Sequence, residues 1–206
     1  MKDTIDNFLN SLSRPFHSEA DFQHELAIFL RDKLNAKIRL EKPMGKDQHK
    51  GNIDLFIDYD GKKIGIELKY KTQILSGKTQ EECFNLKQHS AHPLGRYDFY
   101  KDISRLENWI NKKEINHGFA IFLTNDNNYL KHHNEFNLGS AKIEKNNYDW
   151  LNYKKSSHGT NRKKGIIFGY NYSIQWQKCN NLNEELKNTK GNNVFQFLIL
   201  EVPSKA

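Results

Sequence analysis

Two alternating runs meet at a tight turn, and they constrain this chain more than any other feature. In Asn52–Tyr59 the apolar residues Ile53, Leu55 and Ile57 alternate with polar ones, and in Lys62–Tyr70 the residues Ile64, Ile66, Leu68 and Tyr70 do the same. Between them stands Asp60-Gly61, a pair suited to the positive φ angles of a two-residue hairpin turn. The register follows at once. Tyr59 faces Lys62 across the turn; Asp58 faces Lys63, Phe56 faces Gly65, and Asp54 is expected opposite Glu67, these three pairs on the face away from the Ile/Leu stripe.

Opposed like charges on neighbouring strands are destabilising, so Asp54 facing Glu67 breaks a local rule, as functional sites do. A divalent cation between the carboxylates removes the repulsion, and hard oxygen donors point to magnesium, with manganese as a substitute. Lys69 shares the face and brings a positive charge, while Gly65 is expected to leave the space beside them open. Ordinary solvated charges on an exposed sheet face are the other reading, against which the register itself stands. Two acids and a lysine around a metal suit phosphodiester hydrolysis, with the lysine orienting water or stabilising developing charge.

The rest of the chain builds a mixed α/β fold. Ser18 as N-cap and the stripe Phe22, Leu26, Phe29 and Leu30 predict a helix over residues 19–35. A strand follows at 37–41, ahead of the hairpin. Phe99, Ile103, Leu106 and Ile110 predict a second helix over 96–113, and Gly118–Thr124 reads as a buried strand. Alternation of Phe168, Tyr170, Tyr172, Ile174 and Trp176 predicts a half-buried strand, and Val194–Val202 a last apolar one. The order α-β-β-β-α-β with a β-rich C-terminal extension implies a central mixed sheet flanked by helices.

Asp54, twelve residues, then Glu67-Leu68-Lys69 on such a hairpin, with a helix before and a helix and strand after, resembles the PD-(D/E)XK restriction-endonuclease-like nuclease superfamily. The resemblance covers residues 18–124. Ile53 stands where the motif has proline, a replacement frequent in that superfamily. It implies that Asp54, Glu67 and the Leu68 carbonyl bind Mg²⁺ and that Lys69 is catalytic. It implies a further acid from the first helix, for which Glu25 fits at the edge of the apolar stripe, with Glu19 as the second choice. The second helix of such nucleases borders the cleft, which makes Gln88 and Arg96 candidate nucleic-acid contacts. The expected activity is cleavage of DNA, double-stranded in the first instance, in a restriction, defence or repair role. A homodimer would serve the cutting of two strands.

Composition agrees with a folded chain that meets an anion. Of 206 residues, 52 are Leu, Ile, Val or Phe, enough for one core, and a single domain is expected over 1–206. Residues 125–206 are expected to form an extension that selects substrate. Net charge is +7, and nearly all of it lies in residues 104–206. Lys154, Lys155, Arg162, Lys163 and Lys164 cluster within eleven residues free of acids, which reads either as a polyanion-contacting loop or as a solvated one. Trp150, Tyr148 and Tyr153 beside it could stack on bases or anchor the loop. The N-terminus carries Asp3 and Asp6 where a signal peptide is basic, no apolar run reaches membrane-spanning length, and Cys83 and Cys179 are the only cysteines. A reducing, cytoplasmic setting without membrane partners is therefore expected. His89, His92, His132 and His133 lack companion ligands at zinc-like spacing and read as loop histidines. Two rivals remain: a nuclease-like fold that only binds nucleic acid or protein, and a phosphate-handling enzyme with a non-polymeric substrate.

Overall fold

The computed structural model describes residues 1–45, 51–79, 82–133, 136–139, 142–145, 147–148 and 166–203. The basic stretch from Lys154 to Lys164 and Trp150 and Tyr153 lie outside these residues. Helices α1 (Lys2–Asn10) and α2 (Glu19–Leu34) come first, followed by strands β1 (Lys37–Met44), β2 (Gly51–Tyr59) and β3 (Lys62–Lys71). A small hairpin, β4 (Leu75–Lys78) and β5 (Cys83–Leu86), leads into α3 (His92–Asn111) and β6 (His117–Thr124). The later part carries short strands β7 (Lys142–Ile143), β8 (Asn147–Tyr148), β9 (Ile166–Ile167), β10 (Tyr172–Ser173) and β11 (Gln177–Lys178), then α4 (Asn180–Glu185), β12 (Lys190–Gly191) and β13 (Gln196–Val202).

Six strands form the central sheet in the order β1-β2-β3-β6-β13-β11, with β3 and β6 parallel and every other neighbour antiparallel. The chain is thus an α/β protein with a mixed sheet flanked by helices. On one face α1 and α2 pack Phe8, Phe22, Leu26 and Leu30 against Leu55, Ile66, Leu68, Ile121 and Phe197. On the other, α3 packs Phe99, Ile103 and Leu106 against Phe56, Ala120, Phe122 and Leu198. No helix among the described residues is long and apolar enough to cross a membrane.

The termini of α2 follow from local chemistry. The Ser18 side chain accepts the Asp21 N–H, Asp21 in turn accepts the His17 N–H at 2.8 Å, and Asn35 closes the helix at φ 51°. The hairpin turn is as expected, with Asp60 at φ 51° and Gly61 at 67°.

Three expectations need correction. The 168–176 stretch is not one strand: only its Tyr172–Ser173 pairs, as β10. Phe168, Tyr172 and Ile174 are buried all the same, but Glu107 of α3 takes the Gly169 N–H at 2.8 Å and the Tyr172 hydroxyl at 2.5 Å. A helix side chain thus supplies the partners that a ladder would have supplied. Nor does Gly65 leave an opening. A Cβ there would come within 2.4 Å of Ile53 Cδ1 and 2.8 Å of Ile115 Cδ1, so side chains already fill the space. Ile53, finally, does not share a face with Leu55 and Ile57; it belongs to the α3-side core.

Candidate active site

The hairpin ladder keeps the expected register from Tyr59↔Lys62 to Leu55↔Ile66 and ends there, one pair short of Asp54 and Glu67. Beyond that point β2 stays with β1 and β3 stays with β6, so the two strands fork. The edge of β3 facing the fork has lost its backbone partner, and buried N–H groups must find another. Side chains provide it. Asp54 Oδ2 accepts the Leu68 N–H at 2.6 Å, Glu19 Oε2 the Tyr70 N–H at 2.8 Å, and His89 Nδ1 the Thr72 N–H at 3.0 Å.

Asp54 also interrupts the ladder on its other side. Leu40↔Leu55 and Lys42↔Ile53 are paired, but Glu41 and Asp54 between them are not, and Glu41 sits at φ 49°. Both strands turn over at this point. Leu40 and Leu55 pack on the α2 side, whereas Met44 and Ile53 pack on the α3 side. Gln23, only 7% exposed, reaches from α2 into the gap and donates to Asp54 O at 2.7 Å and Glu41 Oε1 at 3.0 Å. The Asp54 carbonyl, deprived of its ladder partner, is satisfied by a helix.

Helix α3 completes the site with Asp102 and Arg105. Arg105 Nη2 is shared by Glu67 Oε1 at 2.9 Å and Asp102 Oδ1 at 2.7 Å. Lys69 Nζ lies 2.7 Å from Asp102 Oδ2 and donates to Leu68 O at 3.2 Å. Glu67 is 1% exposed, and its Oε2 finds no hydrogen-bond partner among the described residues. Burial, reinforced by Asp102 and Glu19, pushes the Asp54 carboxyl up to about 6 against the pull of the Leu68 N–H and Lys69. Burial and then the Asp102 carboxylate drive Glu67 well above the usual carboxylate range, although Arg105 opposes them. For Lys69 burial pulls downward, but Asp102, Glu19 and Asp54 outweigh it and hold the ammonium above its ordinary value.

Asp54, Glu67, Leu68 and Lys69 thus come together at the fork. Glu25 does not join them: it is paired with Arg14 at 3.2 Å and its side chain is 42% exposed. It lines an open cavity of about 430 Å³ with Phe8, Phe16 and Phe29. The helical angle places Glu25 at the edge of the apolar stripe, but that edge faces α1, a helix the sequence reading lacks. Glu19, one and a half turns earlier, is the acid of α2 that reaches β3. Arg96 is 5% exposed within α3 and presents no surface to a polyanion, while Gln88 is exposed between β5 and α3. His92 pairs with Asp126 at 2.5 Å, away from the fork.

Asp102, Arg105 and Gln23 escape the sequence reading. For Asp102 a signal exists: Phe99 three residues before it and Leu106 four after place it on the buried stripe of α3, where a carboxylate needs a partner. Gln23 carries a similar signal, three residues before Leu26 and seven before Leu30.

Among the described residues no three His, Cys, Asp or Glu side chains converge as a metal-binding group. The donors for a hard cation are two carboxylates, Asp54 and Glu67, and the Leu68 carbonyl, a set that suits magnesium with water completing its shell. The site fits such an ion on two counts. Among the described residues, Glu67 Oε2 is buried without a hydrogen-bond partner, and the carboxylates of Asp54, Glu67 and Asp102 face two cations, Lys69 and Arg105. Comparison with models of protein families, with curated proteins and with solved structures finds no match to this chain.

Proposed function

We propose that this protein is a metal-dependent nuclease of the PD-(D/E)XK type that hydrolyses DNA phosphodiester bonds. One observation carries the reading: among the described residues, three carboxylates meet two cations at the fork of β2 and β3, and Glu67 Oε2 is buried with no hydrogen-bond partner. The deficit of positive charge is what a divalent ion would fill.

Asp54, Glu67 and the Leu68 carbonyl would hold the ion, which when bound supplies positive charge to the phosphate and acidifies water. Lys69 serves as the cationic group of the site. It donates hydrogen bonds to water or to a phosphate oxygen and stabilises the charge that develops there. Asp102 holds the ammonium in place, and Gln23 fixes the backbone at Asp54. Lys154, Lys155, Arg162, Lys163 and Lys164 would grip the substrate backbone, and residues 125–206 would select it. Double-stranded DNA, a restriction, defence or repair role, action as a homodimer and a cytoplasmic setting belong to the same reading.

A second reading, a nuclease-like module that binds without cutting, rests on Arg105, whose guanidinium already neutralises Glu67 without any metal. Plasmid cleavage in Mg²⁺, Mn²⁺ or EDTA, comparing the parent chain with Lys69→Ala, separates the two. Cutting that requires both metal and Lys69, with a loss of about 10²–10³-fold in the variant, is the expected result. A folded chain that binds duplex DNA but never cuts it supports the module.

A further inference from the structure

The guanidinium of Arg105 stands where a cation serving Glu67 has to stand. Its Nη2 bridges Glu67 Oε1 at 2.9 Å and Asp102 Oδ1 at 2.7 Å. The side chain reaches across from α3 past the Trp109 ring, 5.6 Å away, and its Nη1 abuts Gly51, where a Cβ would lie within 2.9 Å. Arg105 keeps 19% side-chain exposure and Glu67 only 1%, so the arginine is the more exposed member of the pair.

A buried carboxylate needs a positive partner whenever it is ionised, and removing that partner is strongly destabilising. One partner can leave if another arrives. Arg105 has somewhere to stay, because Asp102, three residues away on the same helix, holds the same nitrogen by itself. Glu67 has somewhere to receive the newcomer, because Oε2 is unengaged. Lys69 is engaged by Asp102 Oδ2 at 2.7 Å and by Leu68 O at 3.2 Å, not by Glu67.

We propose that Arg105 and a divalent cation are alternative occupants of Glu67, the arginine serving as a resident counter-ion that the metal displaces toward Asp102. The inference rests on the metal-dependent reading given above. Arg105 keeps the empty site folded and sets a threshold of metal concentration below which the site stays closed to the ion.

Calorimetric titration with Mn²⁺ and thermal melts with and without Mn²⁺, on the parent chain and Arg105→Met, test it. Removal of a unit positive charge beside a divalent ion should tighten Mn²⁺ binding roughly tenfold or more. The rise in Tm on adding Mn²⁺ should be larger in Arg105→Met than in the parent, while Arg105→Lys, which keeps the charge, should bind like the parent. Equal or weaker binding by Arg105→Met, with binding by the parent intact, overturns the exchange and leaves the metal-dependent reading standing. Absence of Mn²⁺ binding in both chains overturns the two together. Should Arg105→Met fail to fold in EDTA, recovery of its fold by Mn²⁺ supports the exchange, and Arg105→Gln is titrated in its place with the same two outcomes.

Discussion

Glu19 Oε2 accepts the Tyr70 backbone N–H at 2.8 Å, which fastens the first turn of α2 to the edge of β3 that β2 has abandoned. The bond lies two residues along the strand from the Leu68 N–H that Asp54 takes. Glu19→Ala is expected to cost about 1 kcal/mol of stability through the lost acceptor and to lower cleavage. Glu25→Ala should leave cleavage at the parent level, since Glu25 faces Arg14 instead. Equal effects of the two substitutions on cleavage would contradict this placement.

Asp54 makes stability depend on pH in an unusual direction. Its folded carboxyl titrates near 6 against an ordinary value of 3.8, so the folded chain binds the proton more tightly than the unfolded chain. The penalty for ionising it is absent below the ordinary value, grows as pH rises through the window up to about 6, and is fully present above. In EDTA, Asp54→Asn should therefore be more stable than the parent near neutral pH, by up to about 3 kcal/mol. The advantage should shrink as the solution is acidified through that window. Urea melts at several pH values measure it, and a variant less stable at every pH would refute the assignment. Mn²⁺ should stabilise the parent and not Asp54→Asn.

Gln23→Leu removes the two N–H donors that fill the break between β1 and β2. The Asp54 carbonyl then lies buried without a partner, for a cost of about 1–3 kcal/mol. Mn²⁺ affinity should fall along with stability, because the backbone that carries the carboxylate is no longer held. Loss of stability with unchanged Mn²⁺ affinity would make Gln23 a packing residue alone.

Gly65→Ala tests how closely Ile53 of β2 and Ile115, which follows α3, pack over β3. The new methyl meets Ile53 Cδ1 and Ile115 Cδ1 inside contact distance, which should destabilise the chain by about 1–3 kcal/mol. Shortening the neighbour with Ile53→Val should restore part of the loss in the double variant. Additive losses in a denaturant series would show that the two residues do not share that space.

Serine at Lys154, Lys155, Arg162, Lys163 and Lys164 together should weaken binding to random duplex DNA and flatten its salt dependence, each lost phosphate contact reducing the slope by about 0.9. Mn²⁺ affinity should not change. An unaltered salt slope would assign these residues to solvent.

The hairpin was legible because Asp60-Gly61 and period-two alternation act over a few residues, and the register of five pairs followed from the turn alone. The nearness of Asp54, Glu67 and Lys69 is legible from that register, although the paired ladder stops one step short of the first two. Their actual arrangement was not legible. The strands fork instead of pressing the two acids together, since a carboxylate can accept a strand N–H that has lost its carbonyl. The partners Asp102, Arg105 and Gln23 come from helices separated from the hairpin in sequence, and only tertiary packing brings them in. Helix α1 also escaped the sequence reading. Its apolar residues Ile5, Phe8 and Leu9, with Leu12 just beyond, stand at i, i+3, i+4 and i+7 and so do mark a stripe, but within a helix of nine residues; all four are buried, and Phe8 and Leu12 line the cavity that Glu25 faces.

The reversal of faces at Glu41 and Asp54 has a consequence for how the strand pair can err. In an evenly alternating hairpin, a slip by two residues returns every side chain to its proper side and is resisted only weakly, whereas a slip by one is not tolerated. Here the alternation changes phase at Asp54, so a two-residue slip would carry Ile53 or Leu55 across the point of reversal and present it to the wrong core. Gln23 would meet a different carbonyl. Only one alignment satisfies both hydrophobic layers, and in that alignment the carboxylate lies at the fork. A misaligned chain therefore forfeits its packing and its site in the same event, and selection for a well-folded sheet protects the position of Asp54 even where the chemistry itself is not under test.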